Sequence, residues 1–239
     1  VVISRCRFNW EYLPSVFVSG DTFNYFSLDE NKIAFYIIDV AGHGLPAAFL
    51  SVSLSRTLVP TYGGHSILKK VSPISKPVTI APPAKAIKAL NERFLSRGKN
   101  AEYFTMIYGI VDIAENKVTL CQAGHPSPIV IKHGGQVDMI GQSGFPVGIL
   151  PEADYTEQSF RFMPGDKLFL YTDGITECAG IAKKNEIQSK VMEFLGQDSN
   201  GRSNAGMFSE LLVNLKKWSQ TEEYPDDVSM LLIERLIEE

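Results

Sequence analysis

Aspartates that follow apolar segments are the residues of this chain best suited to chemistry. They are Asp21, Asp39, Asp173 and Asp226, and each lies beside a glycine or a turn. Asp39 directly follows the run FYII, and Asp173 comes after LFLYT. A carboxylate placed there is expected to be half-buried, and it then needs a partner or a metal. Because a single aspartate at a strand end usually caps a turn or a helix, a shared site is indicated only by all of them together.

A cluster of carboxylates would offer oxygen ligands to a metal. Such a ligand set favours Mg²⁺ or Mn²⁺ over zinc. Two of these ions that share a carboxylate can hold a bridging water, lower the pKa of that water and neutralise a phosphoryl group for in-line attack. If the aspartates converge, the predicted reaction is therefore hydrolysis of a phosphate ester without a covalent enzyme intermediate.

The first half of the chain predicts a buried strand that runs into a helix. Lys32–Val40 is rich in β-branched and aromatic residues, which is typical of a buried strand. It is followed by a glycine-flanked turn at residues 41–44 and by a helix with Pro46 near its first turn. A second helix is predicted at Ala84–Ser96. Between the helices, the proline-rich residues 60–83 are expected to be irregular, either as a mobile surface loop or as a partner-docking flap.

Strand-like segments separated by turn sequences dominate the rest of the chain. Three hairpins are predicted, and they are Tyr103–Ile113 with Lys117–Ala123, Ser127–Lys132 with Gln136–Ile140, and Tyr155–Phe162 with Lys167–Thr172. We also expect an early strand at Phe8–Val18, helices near Asn185–Leu195 and Ala205–Trp218, and a closing segment, Val228–Leu236, that starts as a strand. Successive hairpins with helices grouped in two places predict an α+β fold with antiparallel sheets. No linker divides the sequence, so residues 1–239 are predicted to form one domain.

Composition argues against several classes of protein. The chain has 239 residues, of which 44% are apolar and 21% are charged, as in an ordinary globular protein. The net charge is −4 and no basic run is interleaved with aromatic residues, which argues against a nucleic-acid partner. No apolar run approaches the roughly 20 residues that span a bilayer, so no membrane segment is expected. The cysteines, Cys6, Cys121 and Cys178, form no CxxC pair, so we expect neither a disulfide framework nor a zinc knuckle, and a cytoplasmic location.

Several longer motifs occur in a characteristic order. They are SGDTFNYF, DVAGHGLPAA, AGHPSPIV, GFPVGIL, PGDKLFLYTDGITE and DDVSMLLI. In this order they resemble the PPM family of metal-dependent protein phosphatases, and they are most similar to its bacterial SpoIIE/RsbU-type branch. The resemblance covers roughly Phe8 to Leu236, and the combination is far more specific than any one motif. It implies two stacked antiparallel sheets flanked by helix pairs, with the metals at one end of the sandwich.

The resemblance also implies a role for each aspartate. Asp39 would bridge two Mn²⁺ or Mg²⁺ ions, and the backbone carbonyl of Val40 would help to hold one of them. Asp21 would lie on the side of the first ion, whereas Asp173 and Asp226 would hold the second. The attacking group would be a water molecule activated by the metals.

Some positions depart from the family pattern. Many members of this branch carry a second aspartate three residues after the first, and Asn24 stands at that position here. Asp227 lies next to Asp226 and is ranked below it as a ligand. The arginine that grips phosphate in eukaryotic relatives has no obvious counterpart, because neither Arg5 nor Arg7 can be assigned to it from the sequence.

Further residues near the aspartates are assigned supporting roles. His43 is predicted either to approach the substrate phosphate or the attacking water, or to pack locally as a turn residue. Gly42 and Gly44 are expected to provide backbone geometry, and Gly174 to turn the chain off its strand beside the metal. His125 is interpreted as a structural turn residue.

The first functional hypothesis is a Mg²⁺- or Mn²⁺-dependent protein serine/threonine phosphatase. The resemblance implies a phosphorylated STAS-type anti-anti-sigma protein as substrate and an upstream sensory or receiver domain in the same chain, and it leaves a homodimer open. Because the chain begins at Val1, we expect it to be a domain of a longer protein.

Two rival hypotheses remain open from the sequence. One is a catalytically weak or inactive phosphatase-like module that binds a partner, which Asn24 and the missing arginine support. The other is a different two-metal phosphoesterase such as a nuclease, against which the net charge of −4 argues.

Overall fold

The computed structural model describes residues 1–15, 18–60, 66–71, 78–95, 102–197, 203–220 and 224–237. Its strands are, in chain order, β1 (Val2–Ile3), β2 (Cys6–Leu13), β3 (Thr22–Ser27), β4 (Lys32–Val40), β5 (Lys69–Val71), β6 (Val78–Ile80), β7 (Phe104–Asp112), β8 (Lys117–Ala123), β9 (Ile129–Ile131), β10 (Val137–Met139), β11 (Glu157–Arg161), β12 (Lys167–Tyr171) and β13 (Val228–Arg235). Its helices are α1 (Leu45–Thr57), α2 (Pro83–Phe94), α3 (Gly174–Glu177), α4 (Lys184–Gly196) and α5 (Asn204–Ser219), with a 3-10 helix at Ile181–Lys183. None of the helices in these described stretches is both long and apolar enough to cross a membrane.

Two antiparallel sheets stack face to face. The six-stranded sheet has the order β1-β2-β13-β12-β9-β10, and the five-stranded sheet has the order β11-β8-β7-β4-β3. Helices α1 and α2 cover the outer face of the five-stranded sheet, and α3, α4 and α5 cover that of the six-stranded sheet. Apolar side chains such as Phe8, Phe35 and Leu231 fill the space between the sheets. The predicted α+β fold of two stacked antiparallel sheets flanked by helices is confirmed.

The interior strand β4 is buried on both faces, which explains its unbroken apolar sequence. Phe35 and Ile37 face the other sheet, whereas Tyr36 and Ile38 face α1 and α2. This alternation follows from the two-residue period of a strand. The strand pairs with β3 on one side and with β7 on the other. It therefore places Asp39, its penultimate residue, at one end of a rigid layer.

Two of the predicted hairpins are confirmed, and the third, between β11 and β12, is wrong. Strands β7 and β8 pair antiparallel, as do β9 and β10. By contrast, β11 joins the edge of the five-stranded sheet, and β12 lies between β9 and β13 in the other sheet. The chain crosses between the sheets at residues 162–166, where the Asp166 carboxylate accepts hydrogen bonds from Lys132 Nζ, His133 N and Met163 N. Because two of these donors are distant in sequence, the local turn sequence does not reveal the crossing.

The segment predicted to be irregular contains a short hairpin. Strands β5 and β6 pair antiparallel, and Ala81 N donates to Leu68 O at 2.9 Å. Leu68 is buried in the cluster under α1 and α2, so this part of residues 60–83 is attached to the core, and the prediction is wrong there. Residues 61–65 and 72–77, the remainder of the predicted loop or flap, lie outside the described residues.

Other elements differ from the prediction at their ends. Strand β2 ends at Leu13, before Pro14, which has no amide hydrogen for a sheet. The predicted early strand, Phe8–Val18, is therefore too long, and residues 16–17 lie outside the described part of the chain. Strand β3, which the sequence pattern did not predict, forms an edge of the five-stranded sheet.

Candidate active site

The predicted aspartates lie at one end of the sandwich, on strand ends from both sheets. Asp21 precedes β3 and Asp39 lies near the end of β4, whereas Asp173 follows β12 and Asp226 precedes β13. The charges of Asp21, Asp173 and Asp226 each raise the pKa of Asp39. Because such interactions fall off with distance, the aspartates share one electrostatic environment.

Asp39 is the half-buried centre of this group. Burial, the main cause, and the charges of the neighbouring carboxylates together raise the pKa of Asp39 to about 8. Asp39 lies opposite Thr105 in the β4–β7 pair, and Val40 lies opposite Phe104. Ionised carboxylates this close are unfavourable until a proton or a cation joins them.

The Asp21 carboxylate is attached to the opposite sheet by two hydroxyl groups. Thr172 Oγ1 and Ser229 Oγ donate to the same oxygen, Asp21 Oδ2, at 2.9 Å and 2.7 Å. The Ser229 amide in turn donates to Thr172 Oγ1 at 3.0 Å. Burial raises the pKa of Asp21 to about 7, although both hydroxyl groups act to lower it. These contacts leave Oδ1 of Asp21 as the oxygen available for a ligand.

Asp226 and Asp227 differ in what their carboxylates contact. Asp227 is buried, and its Oδ1 accepts hydrogen bonds from Ser15 N at 2.7 Å and Ser15 Oγ at 2.9 Å. Asp226 is exposed, and its Oδ1 accepts only from the neighbouring Asp227 amide among the described hydrogen bonds, at 2.7 Å. Asp227 therefore holds the chain that follows β2, while Asp226 remains open at the site.

Asp173 lies at the start of α3, and Gly174 lets that helix approach β13. Glu177 N donates to Asp173 O at 2.8 Å, which closes the first turn of α3. Burial, followed by the charges of Glu177 and Asp226, raises the pKa of Asp173. A Cβ atom on Gly174 would clash with the carbonyl oxygen of Asp227. Glycine is therefore required there for two backbones of the site to meet.

The turn that follows β4 exposes His43 to solvent. Gly42 and Gly44 have φ values of 97° and 78°, in the left-handed region that glycine favours. His43 stands between them as an exposed side chain. On the other side of the strand end, a Cβ atom on Gly20 would lie 2.9 Å from Val40 O, so the chain before Asp21 is packed against this carbonyl.

Asn24 stands where the family resemblance led us to expect a second aspartate. It lies exposed on the edge strand β3, opposite Tyr36. Its Oδ1 accepts a hydrogen bond from Tyr25 N at 2.8 Å. None of its described hydrogen bonds reaches an aspartate of the site.

Sequence reasoning missed the hydroxyl groups that orient the site. Thr172 could have been found because it adjoins Asp173, and Ser229 because it lies two residues after Asp227 in an otherwise apolar segment. Thr105, which lies opposite Asp39, contacts His125 instead, with its Oγ1 2.8 Å from Nδ1 of that ring. His125 is buried, and burial lowers its pKa to about 3, so its ring is neutral.

The donor atoms at this end of the sandwich are oxygens, which suit divalent cations. In the part of the chain that the structure describes, no three His, Cys, Asp or Glu side chains are grouped so that they could hold one metal ion. The donor chemistry nevertheless fits, because carboxylate and carbonyl oxygens are the ligands that Mg²⁺ and Mn²⁺ prefer. A bound cation would also reverse the raised pKa values of Asp21 and Asp39, since it stabilises ionised carboxylates.

Sequence comparison identifies relatives of this chain. The profile of the family described as Stage II sporulation protein E (SpoIIE) matches residues 29–236. Phosphoserine phosphatase RsbP of Bacillus subtilis (strain 168) is 27% identical over 181 residues, which are 74% of this chain and 41% of that protein. The chain therefore spans less than half the length of this relative.

Solved structures share the fold. The RsbU and RsbW domains of Rv1364c from Mycobacterium tuberculosis match with a TM-score of 0.76 and 23% identity, over 97% of this chain and 60% of that chain. The PP2C phosphatase domain of SpoIIE from Bacillus subtilis, with a fragment of its regulatory domain, matches with a TM-score of 0.72 and 22% identity, over 96% and 63%. Because the family profile covers most of the sequence, the chain belongs to the SpoIIE family, the SpoIIE/RsbU-type branch of the PPM serine/threonine phosphatases.

Proposed function

We propose that this domain is a metal-dependent protein serine/threonine phosphatase. The observation that carries the proposal is the meeting of carboxylates from both sheets, with Asp39 at their centre and its pKa raised by the others. The similarity to RsbP, which is named a phosphoserine phosphatase, supports the same activity here.

The proposed ligands are the predicted aspartates. Asp39, Asp21 and the Val40 carbonyl would help to hold one Mg²⁺ or Mn²⁺ ion, and Asp39, Asp173 and Asp226 would help to hold a second. When bound, such ions lower the pKa of a water nucleophile and neutralise phosphoryl charge.

Other side chains orient these ligands and the substrate. Thr172 and Ser229 fix one oxygen of Asp21, so that the other faces the site in a defined direction. Asp227 holds the chain at Ser15 and thereby the end of β2. The exposed His43 is proposed to contact the substrate phosphate.

The proposed substrate is a phosphoserine or phosphothreonine of a STAS-type anti-anti-sigma protein. This choice rests on family analogy. We propose further that residues 1–239 form a single phosphatase domain of a longer signalling protein with an upstream sensory or receiver domain. The regulatory domain that accompanies the phosphatase domain in SpoIIE from Bacillus subtilis supports a regulated, longer chain of this kind.

A non-catalytic module that binds a partner is the second candidate. It is favoured by the lack, among the described residues, of three potential ligands grouped to hold one ion. Calorimetry with Mn²⁺ separates the two candidates. Binding at or below millimolar Mn²⁺ supports the phosphatase, and the absence of binding supports the module.

The activity itself is tested by Mn²⁺-dependent hydrolysis of a generic aryl phosphate. We expect Asp39→Asn and Asp173→Asn to lose at least about 100-fold in kcat/KM, because each removes a charged ligand. Asp154→Asn, which changes an exposed carboxylate outside the site, is the matched control and keeps wild-type activity. If both site variants remain as active as the control, the proposed metal site is wrong.

A further inference from the structure

A large pocket begins where the carboxylate site ends. It has a volume of about 820 Å³ and lies between the end of α3, the 3-10 helix and the chain before β13. Asp226 forms part of its wall, and so does Glu177, whose charge raises the pKa of Asp173. The pocket is thus continuous with the proposed metal site.

The lining of this pocket is mainly apolar. Ala179 and Tyr224 pack against the core under α3, α4 and α5, and Cys178 is buried beside them. Ile181 stands at the edge of the pocket with 76% of its surface exposed. A branched apolar side chain this exposed beside a pocket gives an incoming apolar group a surface to contact.

The charges of the pocket are unsuited to an anion. Its two acidic side chains are Glu177 and Asp226, and the Glu177 carboxylate is already paired with Lys184 Nζ at 2.8 Å. No Lys or Arg is among the described residues that line the pocket, so a second phosphate or a nucleotide finds no cationic side chain in its wall. An uncharged apolar segment needs no such partner.

We propose that this pocket binds the apolar side chains that flank the phosphorylated residue of the protein substrate. The proposal rests on the proposed phosphatase function, because a phosphoserine at the carboxylates fixes where its neighbours lie. Successive residues of an extended peptide are about 3.5 Å apart, so the immediate neighbours reach a pocket whose wall includes Asp226. Pockets of roughly 300–1,000 Å³ hold molecules of several side chains in size, so a short segment fits.

The test compares phosphoserine peptides that differ only beside the phosphoserine. One peptide carries leucine on both sides and the other carries alanine. We expect wild-type kcat/KM to be about tenfold higher for the leucine peptide, as for apolar groups that enter a pocket. Ile181→Ser should lose most of this preference, and Ile181→Leu should retain it. Val213→Ser removes an exposed apolar side chain from α5 and should behave as wild type.

Activity on a generic aryl phosphate separates this proposal from the proposed function. All three variants should keep wild-type rates on it, because the aryl phosphate has no flanking residues. If the aryl phosphate is hydrolysed but the two peptides react equally well, the pocket proposal is overturned and the phosphatase stands. The same holds if Ile181→Ser keeps the full leucine preference. If wild type hydrolyses neither the aryl phosphate nor the peptides with Mn²⁺, the phosphatase proposal fails first.

Discussion

The hydroxyl group of Ser229 donates to Asp21 Oδ2 at 2.7 Å and so joins a residue of β13 to the chain before β3. Thr172 makes the second bond to the same oxygen. We expect Thr172→Val to weaken Mn²⁺ binding about 10- to 100-fold, because loss of a residue that orients a ligand has such effects. Thr172→Ser keeps the hydroxyl group and should bind Mn²⁺ nearly as well as wild type. Isothermal calorimetry measures both, and equal affinities for the two variants would contradict this role.

The pH dependence of stability should differ between the metal-free wild type and Asp39→Asn. In the metal-free folded domain Asp21 and Asp39 have pKa values of about 7 and about 8, above their ordinary value of 3.8. At pH values between the ordinary pKa of 3.8 and these raised values, the folded state binds protons that the unfolded state does not. The free energy of unfolding therefore falls as pH rises through this range. Urea denaturation in a chelator should therefore show a decline for the wild type between about pH 5 and pH 8.

In Asp39→Asn this decline should be shallower, because the titrating group with the higher pKa is gone. The variant should be more stable than the metal-free wild type at the alkaline end of the range. Parallel pH profiles for the two proteins would show that Asp39 does not titrate in this way.

Gly174→Ala should destabilise the fold at the site. The added methyl group clashes with the Asp227 carbonyl oxygen, and relief requires movement of α3 or of the chain before β13. Overpacking of this kind costs about 1–3 kcal/mol. Gly134→Ala is the matched control, because a Cβ atom there meets nothing within 4 Å. Chemical denaturation compares the two, and a cost no larger for Gly174→Ala than for the control would argue against the close approach.

Asp226 and Asp227 should respond differently to replacement by asparagine. Asp227→Asn weakens the acceptor of two hydrogen bonds from Ser15, so we expect a loss of about 1–3 kcal/mol in unfolding free energy. Asp226→Asn changes an exposed side chain and should leave stability nearly intact while it abolishes most Mn²⁺-dependent activity. If Asp226→Asn lost stability and Asp227→Asn lost only activity, Asp227 would be the metal ligand and Asp226 the structural residue.

The local sequence pattern was sufficient to predict those parts of the site that depend on a single strand. The unbroken apolar run of β4 predicted a buried strand, and with it the half-buried position of Asp39. The grouping of hairpins and helices predicted the α+β class. The metal ligands, however, remain predictions that the mutational tests above address.

Features that depend on contacts between distant segments could not be predicted in this way. The bonds from Ser15 that distinguish Asp227 from Asp226 join residues 212 positions apart. The third hairpin was wrong because donors in the β9–β10 region fix the turn at Asp166 and direct the chain into the other sheet. Pattern within a segment contains no information about such partners.

The position of β13 has a consequence for the synthesis of the protein. This strand is the last of the domain to leave the ribosome, yet it lies between β2 and β12 in the six-stranded sheet. It pairs Val228 with Leu13, so the earliest and latest parts of the domain must meet before the sheet is complete. Ser229 lies within β13, and Asp226 directly precedes it. We therefore expect a nascent or prematurely terminated chain that lacks this strand to be inactive, so that the proposed activity begins only after β13 has been translated and has joined the sheet.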